Sequence, residues 1–119
     1  MKTILIIDDE VDFANTIKMR LEASGYSVIC ANEGKSGLEA ARKNNPDVIL
    51  LDLIMTEMNG FLVLSELKKD PYTAAIPVII VTAKLDTEYA LDAENLGADA
   101  YLSKPVKIAD LEATLKKFL

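Results

Sequence analysis

The chain has 119 residues, with 13 basic and 19 acidic side chains for a net charge of −6, one cysteine (Cys30), and neither histidine nor tryptophan. Without histidine it cannot build a Ser-His-Asp triad, an imidazole general base or a histidine-based metal cluster, and a single cysteine forms no internal disulfide. The acidic balance gives no long-range attraction to DNA, RNA or an anionic membrane surface. The apolar stretch Ile4 to Ile7 between Thr3 and Asp8 is far too short for a signal-peptide core or a spanning helix. A reduced, cytoplasmic setting is expected. The length fits one domain over residues 1–119, and with half the residues hydrophobic a core forms without metals or disulfide staples.

The first aliphatic run, Ile4 to Ile7, predicts a strand, and Ala14, Ile17 and Leu21 then recur at helical spacing until Gly25, placed for a left-handed cap. A second strand is predicted at Tyr26 to Ala31, followed by a helix through Leu38 and Ala41 that stops at Asn44-Asn45-Pro46. Val48 to Leu51 is the third strand. The helix after it carries Phe61, Leu64 and Leu67 and ends at Asp70-Pro71, because the residue before a proline avoids helical geometry. Pro77 to Val81 and Ala100 to Leu102 complete five strands, with a helix between them closing at Gly97 and a last one through Ile108, Leu111 and Leu115. The runs Ile4-Leu5-Ile6-Ile7, Val48-Ile49-Leu50-Leu51 and Val78-Ile79-Ile80-Val81 lack period-two alternation, as strands covered on both faces do. The expectation is an α/β chain with a mostly parallel sheet and right-handed crossovers.

In doubly wound sheets ligands sit outside the carboxyl ends of the strands. Here those ends carry Asp8-Asp9-Glu10, Asp52, Thr82 and Ser103-Lys104-Pro105. Two carboxylates roughly 5 Å apart repel by about 3 kcal/mol at an effective dielectric near 20, so Asp8, Asp9 and Asp52 need compensation. Lys104 supplies one positive charge, and an oxygen-only ligand set favours a hard divalent cation, Mg²⁺. Each residue also has an ordinary structural reading. Asp8-Asp9-Glu10 reads as a helix N-terminus, Asp52 as a turn carboxylate, Thr82 as a helix cap, Lys104 as a solvated lysine and Tyr101 as a half-buried strand aromatic.

Over essentially its whole length the chain resembles a response-regulator receiver domain of the stand-alone type. The resemblance rests on Ile6-Ile7-Asp8-Asp9-Glu10, on Asp52-Leu53-Ile54-Met55 with Met58-Asn59-Gly60, on Val81-Thr82-Ala83, and on Gly97 through Pro105. It implies a flavodoxin-like doubly wound fold, five parallel strands in the order 2-1-3-4-5 with five helices. It implies that Asp52 is a phosphoacceptor, that Asp8, Asp9, Asp52 and the backbone carbonyl of Ile54 hold Mg²⁺, and that Lys104 and Thr82 contact the phosphoryl group. Tyr101 would switch with Thr82. The donor would be the phosphohistidine of a histidine kinase or histidine phosphotransfer protein, and the output a downstream protein reached by a monomer or a phosphorylation-dependent dimer. Self-catalysed phosphotransfer and slow autodephosphorylation are the only chemistry implied, with no direct nucleic-acid or membrane contact.

The family usually has proline where this chain has Thr56. Losing that fixed torsion predicts a looser loop beside Asp52. Phe13, one turn past the acidic residues, is read as an apolar contact for a donor helix or as a plug at the core edge. The chain ends after the fifth helix with no output domain, which fits a stand-alone receiver or a fragment of a longer regulator. Two other readings are an unphosphorylated receiver-like binding module and a small phosphohydrolase. The second asks for Asp-x-Asp after the first strand, whereas Asp8-Asp9 is an adjacent pair.

Overall fold

The five aliphatic runs pair side by side in one parallel sheet, ordered β2-β1-β3-β4-β5. In the computed structural model, which describes residues 1–83 and 87–119, the strands are β1 (Thr3–Ile7), β2 (Ser27–Ala31), β3 (Val48–Leu51), β4 (Val78–Thr82) and β5 (Ala100–Ser103). They alternate with α1 (Val11–Ala23), α2 (Gly34–Asn44), α3 (Gly60–Lys69), α4 (Thr87–Asn95) and α5 (Ile108–Lys116). This is the flavodoxin-like architecture that the resemblance implies.

Helices on both faces explain the unbroken aliphatic strands. Leu5, Ile7, Ile49, Leu51, Val78 and Ile80 point to one side, where they pack with Ala41 of α2, Val63, Leu64 and Leu67 of α3 and Ala93 of α4. Ile4, Ile6, Val48, Leu50, Ile79 and Val81 point to the other, against Ala14, Ile17 and Leu21 of α1 and Leu111 and Leu115 of α5. Burying each such side chain contributes roughly 1.5–3 kcal/mol before chain entropy is subtracted. Phe61 lies only at the margin of the first layer, and Val63 takes the inward position beside Leu64.

Punctuation follows the residues. Gly25 and Gly97 have φ of +97° and +102°, and Asn45 closes α2 with φ of +45°, conformations that a β-carbon penalises least in glycine and asparagine. Proline at 77 has no N–H for the ladder, so β4 starts at Val78, yet the Pro77 carbonyl still accepts the Ile49 N–H at 2.9 Å.

The register aligns the strand ends. Ile7 lies opposite both Ala31 and Leu51, Leu51 opposite Ile80, and Thr82 opposite Ser103. The residues that follow β1 and β3, the last of β4 and the first after β5 therefore share one edge.

Candidate functional site

At that edge the Lys104 ammonium sits among three carboxylates. It donates to Asp8 Oδ2 at 2.9 Å, to Asp52 Oδ2 at 3.1 Å and to Glu10 Oε1. Asp8 and Asp52 are 2% and 4% exposed, and the Lys104 side chain is 9% exposed, against 60% for Glu10. The remaining oxygens of the buried pair are held by the backbone two residues on: Asp8 Oδ1 accepts the Glu10 N–H at 2.9 Å, and Asp52 Oδ1 accepts the Ile54 N–H at 3.0 Å. Their own amides bond to Ala31 and Ile7 carbonyls, which continues the sheet into the site. So these carboxylates are not ordinary cap residues. Glu10, which does occupy the N-cap of α1, makes no side-chain capping bond and reaches Lys104 instead.

Burial pushes the Asp8 carboxyl above its ordinary value of 3.8, against the lowering effect of Lys104 and of the Glu10 N–H, and the neighbouring Asp52 charge adds to the rise. For Lys104, burial acts to lower its pKa, but hydrogen bonds to Asp8 and Glu10 and the charges of Asp8 and Asp52 outweigh it, so the ammonium is held above 10.5. The lysine is a fixed cation rather than a solvated one.

Phe13 lies beneath this cluster. Its ring centre is 4.3 Å from Lys104 Nζ, and with Ile6, Ile17, Leu50, Val81 and Leu111 it lines an apolar cavity of about 10 Å³ that reaches Asp8 and Asp52. Of the two expectations for Phe13, the core-edge plug describes this packing.

Asp9 turns elsewhere. Its Oδ2 accepts both the N–H of Thr56, at 3.0 Å, and the Thr56 hydroxyl, at 3.1 Å. Two hydrogen bonds that proline could not make tie the Thr56 loop to α1's entrance, a restraint that acts against the torsional freedom gained by losing the proline. The loop is fixed again at Gly60, whose N–H donates to the Leu53 carbonyl at 2.8 Å. A β-carbon at Gly60 would lie 2.2 Å from the Asp52 carbonyl oxygen and 2.3 Å from Leu53 Cα, so glycine lets α3 begin directly behind Asp52. Asn59 accepts the Leu62 N–H at 3.0 Å and caps that helix.

Thr82 ends β4 fully buried, and its hydroxyl has no hydrogen-bond partner among the described residues. A buried unpaired hydroxyl is uncommon and points to a missing partner. Tyr101, half-buried on β5, packs against the first core layer, and burial raises its hydroxyl pKa above 10.0. Ile54 is exposed, and its N–H bond to Asp52 fixes the segment that carries its carbonyl.

The donor set suits a hard cation. Oxygens of Asp8, Glu10 and Asp52 lie within 4.8 Å of one another, and three carboxylates against one ammonium leave two negative charges for a divalent ion to offset. Glu10 joins this group beyond the ligands that the resemblance implies, and its only signal in the sequence is an acid directly after Asp8-Asp9. Asp9, expected as a ligand, lies outside that group.

A doubly wound parallel sheet whose carboxyl edge gathers buried carboxylates round one lysine defines a class of small signalling proteins. A family model described as the response regulator receiver domain matches residues 4–116, and the chain belongs to that family. Protein PilH of Pseudomonas aeruginosa is 40% identical over 119 residues, spanning all of this chain and 98% of PilH. Transcriptional regulatory protein ZraR of Escherichia coli is 40% identical over 116 residues, but these make up only 26% of its length. The chemotaxis protein CheY4 of Vibrio cholerae superimposes with a TM-score of 0.95 at 28% identity, covering 100% of this chain and 99% of that one. No helix among the described residues is long and apolar enough to cross a membrane.

Proposed function

We propose that this receiver takes a phosphoryl group onto Asp52 from the phosphohistidine of a sensor kinase or relay protein, and signals to a protein partner through a surface switched by Thr82 and Tyr101. The observation that carries the reading is the pairing of a buried carboxylate with a largely covered ammonium at 3.1 Å, one strand away from the Thr82 hydroxyl, which has no partner among the described residues. An Asp52 oxygen attacks phosphorus, the phosphorus–nitrogen bond breaks, and the imidazole nitrogen keeps the electron pair and takes a proton from solvent. Lys104 offsets the charge of an anionic nucleophile meeting an anionic donor.

Mg²⁺ would be held by carboxylates drawn from Asp8, Asp9, Glu10 and Asp52 with the Ile54 carbonyl, and when bound it supplies further charge neutralisation. The new phosphoryl oxygens give the Thr82 hydroxyl an acceptor that none of the described residues supplies. Only the conformation that brings its hydroxyl to them gains that bond, so phosphorylation shifts the population toward it. Each transfer consumes the acceptor until hydrolysis restores it, so the protein acts as a switch rather than a turnover enzyme.

The test is intact mass measurement after incubation with Mg²⁺ and acetyl phosphate or a phosphoramidate. A phosphate-sized gain is expected in the wild type and not in Asp52→Asn. No gain with any donor overturns the proposal in favour of an unphosphorylated binding module, and sustained phosphate release from small phosphoesters favours a hydrolase. With beryllofluoride and Mg²⁺, resonances of Thr82 and Tyr101 should shift together; a silent Tyr101 removes it from the switch.

A further inference from the structure

Thr56 spends both of its donors on one atom. Its N–H and its hydroxyl converge on Asp9 Oδ2, and with the carboxylate turned to them, no Asp9 oxygen joins the group that Asp8, Glu10 and Asp52 form within 4.8 Å. With both lone-pair sites of Oδ2 taken and neither Asp9 oxygen in the group, Asp9 has to release a Thr56 bond or reorient before it can serve a cation there. A proline at this position, with neither N–H nor hydroxyl, would leave the same carboxylate free to swing.

We infer that Thr56 is a positioning residue that latches Asp9 outside the cation site, so that loading the site requires Asp9 to exchange Thr56 for the ion. The latch sets how tightly the resting protein takes up a divalent ion. The inference rests on the cation reading above.

The effect is bounded by exposure. Thr56 is exposed and Asp9 is partly so, and water replaces the lost donors, so each bond is worth roughly a threefold change in ion affinity rather than the larger effect of a buried charge-assisted bond. Thr56→Val removes the hydroxyl donor and keeps the shape, Thr56→Pro removes both donors, and Thr56→Ser keeps both.

The experiment is equilibrium Mn²⁺ binding to the full chain, followed by loss of the free-ion electron paramagnetic resonance signal, with Mg²⁺ competition. Asp52→Asn reports the binding that does not need the Asp52 carboxylate. Relative to wild type, Thr56→Val should bind about threefold and Thr56→Pro about tenfold more tightly, with Thr56→Ser unchanged. Adding Mg²⁺ to the wild type should also shift the Thr56 amide resonance as it loses its carboxylate. Equal affinities for wild type, Val and Pro overturn the latch and leave the cation site standing. Weaker binding by Val and Pro overturns it too, since Thr56 would then hold Asp9 ready for the ion. Wild-type binding no stronger than that of Asp52→Asn removes the cation reading, and the latch with it.

Discussion

Lys104 Nζ lies 4.3 Å from the centre of the Phe13 ring while forming ion pairs with Asp8 and Asp52. A partly desolvated cation over an aromatic face gains about 0.5–2 kcal/mol, and the ring also lines the small cavity that reaches the buried carboxylates. Phe13→Leu keeps most of the packing and loses the π face. It should cost about 1 kcal/mol in urea denaturation and slow phosphorylation by acetyl phosphate severalfold, as Lys104 loses one wall. Phe13→Ala adds a cavity and should cost about 2–3 kcal/mol, below a fully buried phenylalanine. Because acetyl phosphate brings no partner protein, an unchanged rate with it and a slower one with a kinase would return Phe13 to a docking role.

Gly60 is a question of space rather than of torsion. A β-carbon there meets backbone, the Asp52 carbonyl and Leu53 Cα, which cannot rotate aside. Gly60→Ala should destabilise by about 2–3 kcal/mol through overpacking and shift the backbone resonances of Asp52 and Ile54. A variant of wild-type stability with those resonances in place would show that α3 slides at little cost.

The strands were legible because helices cover both faces of the sheet, which leaves continuous aliphatic runs, and the site was legible because Asp8 and Asp52 directly follow those runs. The division of Ile4 and Ile6 from Leu5 and Ile7 between two layers left no trace, since every residue in the run is apolar. Long-range polar partners were also invisible. Asp9 and Thr56 are 47 residues apart, and each read alone as a loop or helix-entry residue. Glu10 read as a cap because nothing in its neighbours reports that Lys104 arrives beside it. Gly60 entered only as part of the Met58-Asn59-Gly60 motif, and nothing in that motif tells that its role is to leave room for the Asp52 carbonyl.

Lys104 makes an alkaline prediction. Its folded pKa lies above the unfolded value of 10.5, so its stabilisation is complete below pH 10.5 and is lost as pH rises from there through the folded value. In metal-free buffer at pH 8, Lys104→Met leaves Asp8 and Asp52 without their counter-ion and should cost about 2–3 kcal/mol, with little from exposed Glu10. The difference in urea midpoint between wild type and Lys104→Met should be flat from pH 8 to 10 and narrow above it. A gap that stays constant to pH 11.5 would place the effect in packing of the lysine stem instead.

An ion that binds only the folded chain stabilises it by mass action. A site with a dissociation constant near 1 mM gives about 1.4 kcal/mol at 10 mM Mg²⁺, which for a chain of this size raises the melting temperature by about 5 °C. Asp52→Asn keeps Asp8 and Glu10 on Lys104 but removes one charge from the oxygen group. Two carboxylates against one ammonium then leave a single negative charge, so the Mg²⁺ shift should fall below about a third of its wild-type size. The measurement is thermal unfolding in EDTA and in Mg²⁺ at matched ionic strength, so that screening of the surface charge is held constant. Equal shifts in both proteins would mean that the ion acts on the −6 net charge at large rather than at the end of β3.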